Sequence, residues 1–254
     1  MISLENQTVF VTGASRGAGA GIARQIAEAG GRVILGYARN TEAAKSMASE
    51  LGDKAIGLVK ADFSDPAAAE PAWEQAKTIA DGPIHGLVLN HGVFEASNVH
   101  DPADIWRQNW ARTLQINLQS CADLARCAAQ DWVDGAPGGS LVAISSRAGH
   151  RGDDADHPAY AASKAGVAGL TRSMGPLLQE KGIAINAVAP GFIETRMTHA
   201  IPFGIREVGR RLSNLNQGGL PTDVADAITF LSSPGAGGLH GNVLRVCGGN
   251  LLGA

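Results

Sequence analysis

A tyrosine and a lysine stand four residues apart in the sequence, and Ser146 precedes the tyrosine by 14 positions. Tyr160 and Lys164 would share one face of a helix, because positions four apart on a helix are neighbours. A lysine ammonium about 4 Å from a phenolate would interact with it by roughly 4 kcal/mol, which lowers the pKa of the tyrosine. Ser146 could orient the same substrate oxygen and stabilise charge on it. These residues indicate proton transfer to or from an oxygen atom, although the spacing alone is more typical of an ordinary helical tyrosine.

A glycine-rich turn near the start of the chain is the second group with a clear chemical use. Residues 12–19 read TGASRGAG, between an apolar run and a helical stretch. Glycine lets a backbone approach a pyrophosphate closely, and a helix N-terminus favours its negative charge. The spacing is moderately specific, and the alternative is a tight strand-to-helix turn. The predicted dinucleotide contacts in this turn are Gly13, Ser15, Arg16, Gly17, Ala18 and Gly19.

The residues after the second predicted strand bear on the choice of dinucleotide. An acidic residue about 20 positions past the glycines would bind the ribose hydroxyls of NAD. Residues 36–40 read GYARN and contain no carboxylate, whereas Arg16 and Arg39 are placed to hold a 2′-phosphate. We therefore predict NADP(H) rather than NAD(H), with a solvated Arg39 as the alternative. The predicted contacts at this end are Tyr37, Arg39 and Asn40.

Short apolar, β-branched runs alternate with helical stretches along the whole chain. The predicted strands cover residues 8–12, 32–37, 55–60, 84–90, 139–145, 183–189 and 242–246. The predicted helices cover residues 17–30, 41–51, 66–81, 104–133, 158–181 and 222–232. This alternation predicts an α/β fold: residues 1–254 as a single-domain, doubly wound parallel sheet (Rossmann-like) with helices on both faces. Residues 195–219 interrupt the alternation and are predicted to form a substrate lid.

Composition excludes several classes of protein. Of the 254 residues, 44% are hydrophobic and 18% charged, and the net charge of −3 comes with no basic block. Nucleic acid and anionic membranes are therefore not expected as partners. The sequence opens on no signal segment and contains no run of membrane-spanning length. Its three cysteines lack metal-ligand spacing, so we expect a cytoplasmic protein in a reducing compartment, without a metal.

Four further motifs lie at corresponding points along the chain. They are Asp62-Phe63 after the third strand, Asn90-His91-Gly92 after the fourth, Asn117 in a long helix, and PGFIET at residues 190–195. Together with the glycine turn, the serine and the tyrosine–lysine pair, they make the chain resemble the short-chain dehydrogenase/reductases along essentially its whole length. Within that family it looks most similar to the 3-oxoacyl-thioester reductases, because residues 186–195 nearly match their usual segment.

The resemblance implies a set of contacts with the dinucleotide. The residues so implied are Asp62 and Phe63 at the adenine, Asn90 and Gly92 along the adenosine–ribose channel, and Pro190, Gly191, Ile193 and Thr195 at the nicotinamide. Tyr160 and Lys164 would reach the same cofactor from the catalytic side. The cofactor would supply the hydride, and the protein would supply orientation and a proton.

The resemblance also implies catalytic roles. Tyr160 would be the general acid in the reducing direction, and Ser146 would bind the substrate carbonyl. Lys164 would hold the nicotinamide ribose and keep the pKa of Tyr160 low. Asn117 would hold a water that links Lys164 to solvent, which completes a proton relay.

The implied activity is the NADPH-dependent reduction of a 3-oxoacyl thioester, carried by coenzyme A or an acyl carrier protein. Arg206 and Arg210 in the predicted lid could face the phosphates of either carrier, or could simply be solvated. One alternative is a carbonyl reductase or alcohol dehydrogenase for a sterol, sugar or small ketone, since the family shares one catalytic core. Another is a dinucleotide-binding sensor without turnover. The family commonly forms homotetramers, and residues 161–169 and 244–254 are candidates for subunit interfaces.

Two features depart from the family's usual pattern. His91 stands where an alanine is usual, and we interpret it as a packed loop histidine rather than a catalytic one. Ser146 and Tyr160 are 14 positions apart, which is slightly longer than usual. The intervening residues 147–157 carry several charges, and we interpret them as a solvated loop at the pocket mouth rather than a metal site.

Overall fold

The computed structural model describes residues 2–135, 139–193 and 219–249. Its strands are β1 Thr8–Val11, β2 Arg32–Tyr37, β3 Ala55–Lys60, β4 Gly86–Leu89, β5 Ser140–Ile144, β6 Ala184–Pro190 and β7 Val243–Val246. They form one sheet in the order β3-β2-β1-β4-β5-β6-β7, and every neighbouring pair is parallel. The predicted fold class is confirmed, and each predicted strand lies within two residues of an observed one.

Both faces of the sheet are covered, which explains why its strands read as continuous apolar runs. Successive side chains along a strand point to opposite faces. Val9 and Val11 therefore belong to one buried cluster, whereas Phe10 between them belongs to the other. The sheet thus separates two hydrophobic cores that share its backbone.

Helices supply the other wall of each core. They are α1 Gly17–Glu28, α2 Thr41–Leu51, α3 Ala69–Ala80, α4 Ala103–Leu114, α5 Ser120–Val133, α6 Ala148–Arg151, α7 Pro158–Gln179 and α8 Pro221–Leu231. Buried residues of α1 and α8 pack on the face of Val9, and buried residues of α3, α5 and α7 pack on the face of Phe10. No helix of the described ranges is long and apolar enough to cross a membrane.

Three local features differ from the sequence-based expectation. The predicted helix 104–133 is interrupted by a π-helical turn, Gln115–Gln119, between α4 and α5. Helix α3 begins three residues later than predicted, because the Asp65 carboxylate accepts a hydrogen bond from the N–H of Ala67 (2.9 Å) and holds a turn there. Helix α6 occupies part of the stretch that was expected to be a solvated loop.

The strand order reverses between β1 and β4, so their connections leave in opposite directions and open a crevice at the carboxyl edge. Thr12, Asn90, Ser145 and Gly191 directly follow β1, β4, β5 and β6 at this edge. Most of the predicted lid, with Thr195, Arg206 and Arg210, lies outside the described residues, as do residues 250–254. The interpretation of residues 1–254 as a single domain stays a prediction.

Candidate active site

The turn after β1 is built around glycines that no other residue could replace without strain. Gly13 and Gly17 have φ values of +64° and +57°, in the left-handed region that favours glycine. A Cβ on Gly19 would lie 2.2 Å from the carbonyl oxygen of Gly13 and 2.4 Å from Nδ2 of Asn90. The first turn of α1 contains no acidic residue, and Arg16, which precedes it, makes no capping hydrogen bond through its side chain. The free N–H groups of that turn suit a phosphate.

Asn90 fixes this turn against the end of β4. Its Nδ2 donates to the carbonyl oxygens of Thr12 (2.9 Å) and Gly13 (3.1 Å), and its backbone N–H donates to Oγ1 of Thr12 (2.9 Å). The side-chain amide of Asn90 is thus committed to the protein. Among the residues predicted along the adenosine–ribose channel, Gly92 is the exposed one.

The residues predicted at the adenosine end lie together around the ends of β2 and β3. The exposed Arg39 guanidinium lies 3.7 Å from the Asp62 carboxylate, and hydrogen bonds from Ser64 hold the pKa of Asp62 below its usual value. Asn40 caps α2 by accepting from the N–H of Ala43. The remaining predicted contacts are the half-buried Ser15, Ala18 and Tyr37, the exposed Arg16, and Phe63, whose ring is buried against the core.

Ser146, Tyr160 and Lys164 meet where β5 ends and α7 begins. The hydroxyl of Ser146 lies beside the phenol of Tyr160 and acts to lower its pKa, and Oγ of Ser146 accepts from the N–H of Ala148 (3.1 Å). The buried Nζ of Lys164 donates to the carbonyl oxygen of Ile144 (2.8 Å) and lies 5.8 Å from the centroid of the Tyr160 ring. The structure therefore brings these three predicted residues together.

The expected pKa of the tyrosine is wrong in direction. Desolvation of the half-buried Tyr160 raises its pKa above the usual value of a phenol, and the Ser146 hydroxyl offsets only part of that rise. Burial also lowers the pKa of Lys164, whose ammonium faces a backbone carbonyl. Desolvation of both groups outweighs the attraction expected from their helical spacing. Tyr160 is therefore protonated at neutral pH, and its raised pKa makes it a weaker acid than a free phenol.

Asn117 lies in the π-helical turn and is completely buried. Its Oδ1 accepts from the N–H of Val93 (2.8 Å), while its Nδ2 donates to the Val93 carbonyl oxygen (2.9 Å) and to Oγ of Ser163 (3.2 Å). A Cβ on Gly92 would lie 3.2 Å from Oδ1 of Asn117 and 3.6 Å from Nζ of Lys164. Asn117 and Lys164 thus converge beside the glycine that leaves this spot open to solvent. Extra turns of π helix are frequent at functional sites.

The chain after β6 forms the far wall of the crevice. The N–H of Gly191 donates to the carbonyl oxygen of Val246 (2.8 Å), and a Cβ on Gly191 would lie 2.8 Å from Cα of Cys247. Ile193 is buried and forms a parallel bridge with Gly219. The carbonyl oxygen of Pro190 accepts a hydrogen bond from the N–H of Arg147, shortly after the end of β5 (3.0 Å). Thr195 lies outside the described residues.

An aromatic wall, Phe94, His157 and Tyr160, is a feature that the sequence interpretation missed. The rings of Phe94 and His157 are stacked with centroids 3.8 Å apart, and Phe94 meets Tyr160 edge-on at 4.9 Å. Nδ1 of His157 lies 2.5 Å from the Asp154 carboxylate. Only the aromatic type of residues 94 and 157 hinted at this wall. Within the described ranges no cluster of three or more His, Cys, Asp or Glu could hold a metal.

His91 is a fully packed residue, in agreement with its interpretation as a packed loop histidine. Its Nδ1 lies 2.8 Å from Oγ1 of Thr12, its Nε2 lies 2.8 Å from Oγ of Ser120, and its ring packs on Phe63 at 4.2 Å. Burial, with help from the charge of Lys164, lowers the pKa of His91 to about 3. A neutral ring has one N–H, which donates to one of these two hydroxyls. Both hydroxyls are also placed to donate to backbone carbonyl oxygens, Thr12 to Val88 (3.1 Å) and Ser120 to Ile116 (2.8 Å).

A glycine cradle and a serine–tyrosine–lysine group at the carboxyl edge of a doubly wound sheet define a dinucleotide-dependent oxidoreductase. A family described as Enoyl-(Acyl carrier protein) reductase, within the short-chain dehydrogenase/reductases, matches residues 13–250. The chain belongs to the short-chain dehydrogenase/reductase family, and it is an oxidoreductase of that family.

Relatives with described activities match nearly the whole chain. The 3-oxoacyl-(acyl-carrier-protein) reductase FabG of Vibrio cholerae is 34% identical, covering 98% of this chain and 98% of its own. An acetoacetyl-CoA reductase of Synechocystis is 35% identical, with 97% of each chain covered. The crystal structure of a putative 2-deoxy-D-gluconate 3-dehydrogenase from Agrobacterium tumefaciens with bound NADP is 31% identical, with a TM-score of 0.85 and 98% of each chain covered.

The buried His91 predicts acid sensitivity of the fold. Its pKa is about 3 when folded against 6.5 when unfolded, so the unfolded chain binds one more proton between these values. The free energy of unfolding should therefore fall as pH drops below 6.5, by up to about 1.4 kcal/mol per pH unit from this group. Chemical denaturation between pH 7 and pH 4 should give a shallower decline for His91→Gln than for the wild type. Identical slopes would contradict the assignment.

Proposed function

We propose that the protein reduces a 3-oxoacyl thioester to the 3-hydroxyacyl thioester with NADPH, the acyl group being carried by coenzyme A or an acyl carrier protein. The observation that carries the reduction is the meeting of Tyr160, Ser146 and the buried Lys164 at the carboxyl edge of the sheet, with Nζ of Lys164 5.8 Å from the centroid of the Tyr160 ring. The thioester is supported by the activities named for the Vibrio and Synechocystis relatives, which this chain matches over nearly their whole length.

The turn after β1 fits NADP(H). Its glycines keep side-chain atoms away from the place where a pyrophosphate would approach, and the uncapped start of α1 offers N–H donors. The exposed Arg16 and Arg39 would hold the 2′-phosphate, with Arg39 exchanging its 3.7 Å contact with Asp62 for a closer one. NADP bound to the Agrobacterium structure supports the same choice. When bound, the cofactor supplies the hydride.

The protein's own groups would handle the substrate oxygen and its proton. Oγ of Ser146 accepts from the N–H of Ala148, and its own hydrogen would be donated to the substrate carbonyl. Tyr160 shares that position and, being neutral, can protonate the oxygen as negative charge develops on it. Lys164 and Asn117, which converge beside Gly92, would return a proton to Tyr160 through the opening there. Both hydroxyls therefore act on one atom.

A carbonyl reductase or alcohol dehydrogenase acting on a sugar, sterol or small ketone is the second candidate. The described part of the site contains the hydroxyls that any carbonyl substrate requires, and the similar Agrobacterium structure is that of a putative 2-deoxy-D-gluconate 3-dehydrogenase. The aromatic wall would pack equally well against a ring substrate. A sensor without turnover is not favoured, because the catalytic residues predicted from the sequence lie together in the fold.

The proton-donor role of Tyr160 is tested by Tyr160→Phe. Loss of a positioned general acid lowers turnover by roughly 10²- to 10⁴-fold. We expect that loss in NADPH oxidation with acetoacetyl-CoA, with NADPH affinity and thermal unfolding unchanged. Undiminished turnover would remove Tyr160 from this role. No turnover by the wild type, with NADPH still bound, would favour the ketone and alcohol alternative.

Replacing Arg39 tests the choice of cofactor. Hydrogen bonds to a charged group contribute about 1.5–3 kcal/mol, so Arg39→Gln should lower kcat/KM for NADPH roughly 10- to 100-fold and leave NADH almost unaffected. Arg126→Gln, on the exposed face of α5, is the matched control. A wild type that uses NADH as efficiently as NADPH would disprove the preference.

We also propose a cytoplasmic homo-oligomer, most simply a tetramer. All three cysteines are free thiols, as a reducing compartment requires. Leu177 on α7 and Leu244 on β7 are 56% and 41% exposed, which suits apolar surfaces covered by another subunit. Light scattering at micromolar concentration should give about four times the chain mass of 26.1 kDa. A monomeric mass would rule out the oligomer.

A further inference from the structure

The ring of Phe94 stands edge-on against the ring of Tyr160. The two centroids lie 4.9 Å apart, and the ring planes meet at 88°. Perpendicular pairs at this separation are favoured, because the positive edge of one ring meets the negative face of the other. The torsion that sets the plane of a tyrosine ring is broad, so the plane is determined by what the ring packs against. Phe94 is therefore in a position to set the plane of the Tyr160 ring.

The plane of the Tyr160 ring decides the direction in which its proton points. The oxygen of a phenol lies on the axis about which the ring turns, so rotation of the ring leaves the oxygen in place. The hydrogen prefers the plane of the ring, because a lone pair of the oxygen is conjugated with the ring. A freely turning ring would spread the O–H bond over many directions, whereas proton transfer requires the bond to point at its acceptor. A fixed ring plane consequently aims the proton.

His157 fixes the ring of Phe94 in turn. The two rings are nearly parallel, at 8°, with centroids 3.8 Å apart. Nδ1 of His157 lies 2.5 Å from the Asp154 carboxylate, so the imidazole cannot turn without losing that contact. The His157 side chain is 17% exposed and caps no N–H among the described residues of α7. It therefore supports the stack and not the start of the helix.

The backbone that carries Phe94 is anchored on both sides of this residue. Val93 exchanges two hydrogen bonds with the buried amide of Asn117, through its N–H (2.8 Å) and its carbonyl oxygen (2.9 Å). The N–H of Ser97 donates to the carbonyl oxygen of Asp156 (2.7 Å), just before α7 begins. Phe94 is thus held in place relative to the first turn of α7, in which the catalytic phenol lies.

We propose that Phe94 is a positioning residue for proton transfer: it fixes the plane of the Tyr160 ring, and His157 fixes Phe94. This inference rests on the proposed role of Tyr160 as the proton donor. In this role Phe94 contacts neither the substrate oxygen nor the proton, and it acts only through the phenol. The reduction of any carbonyl compound at this site would depend on Phe94 in the same way.

Replacement of Phe94 by leucine tests this role, because leucine keeps apolar bulk and removes the ring. An aromatic pair favours its preferred arrangement by a factor of about 3 to 10. Phe94→Leu should therefore lower kcat about 3- to 10-fold and leave KM for acetoacetyl-CoA within about twofold of the wild type. Phe94→Tyr, which keeps the ring, should retain the wild-type kcat. Phe230→Leu, at an exposed phenylalanine of α8, is the matched control and should equal the wild type.

Two further comparisons separate positioning from contact with the substrate. His157→Phe should keep the stack and the wild-type turnover, whereas His157→Leu should lower kcat as Phe94→Leu does. In a Tyr160→Phe background, Phe94→Leu should cause no further loss, because no proton remains to be aimed. Losses that multiply in the double variant, or a rise in KM in place of the fall in kcat, would mean that Phe94 acts on the substrate or the fold. Either result would overturn the inference.

The ring contact also has a readout that requires no turnover. The chain contains two tyrosines, Tyr37 and Tyr160, so incorporation of 3-fluorotyrosine gives fluorine signals that Tyr160→Phe assigns. The Tyr160 signal should shift in both Phe94→Leu and His157→Leu and stay in place in Phe230→Leu. A Tyr160 signal that is indifferent to Phe94→Leu would contradict the inference.

These results keep the inference apart from the proposed function. Turnover of 2-pentanone but not of acetoacetyl-CoA would reject the thioester, and a loss on 2-pentanone in Phe94→Leu would still uphold the inference. Reduction of acetoacetyl-CoA that is indifferent to Phe94→Leu would do the reverse. Undiminished turnover by Tyr160→Phe would overturn the inference and leave the thioester reduction standing. A wild type that turns over neither substrate would reject the proposed reduction, and the fluorine signals would then decide whether Phe94 sets the Tyr160 ring.

Discussion

The contact between the turn after β1 and the amide of Asn90 is the constraint on which the site depends. Asn90 donates to the carbonyl oxygens of Thr12 and Gly13 in that turn. Gly19 lies so close to this contact that a methyl group on it would collide with the Gly13 carbonyl and the Asn90 amide. This contact joins the two strands between which the sheet reverses direction. It sets the width of the crevice and the direction in which α1 presents its N-terminus. The phosphate site and the catalytic edge therefore share one backbone junction.

Burial, more than charge, sets the chemistry at the other side of the crevice. Lys164 and His91 are buried and Tyr160 is half-buried, and in each case desolvation is the largest cause of the shift in pKa. The neutral form of each group is favoured as a result. A neutral phenol suits proton donation, and a neutral imidazole suits a packing role between Thr12 and Ser120. The same low-dielectric surroundings strengthen the electrostatic interaction of these groups with any charge that enters the site, including the charge of a cofactor.

Much of this arrangement could be predicted from the sequence, because its signals are local. Apolar runs mark strands that are buried on both faces, and the glycine turn marks the junction after β1. The meeting of Tyr160 with Ser146 was implied by the family resemblance, because the spacing of these residues alone is not specific. The direction of the tyrosine pKa was not implied, because it depends on how many atoms from distant segments exclude water. The stacking of Phe94 on His157 joins residues far apart in the chain, so no local signal shows it.

The π-helical turn between α4 and α5 has a consequence for how the chain tolerates change. A turn of this kind contains one residue more than an α-helical turn, and each residue rotates a helix by about 100°. Removing one residue from Gln115–Gln119 would restore a regular helix, but it would swing α4 around its axis relative to α5. Either Asn117 would leave Val93 or α4 would turn its buried face outward. The number of residues in this segment is therefore a part of the active-site architecture, as is the side chain of Asn117.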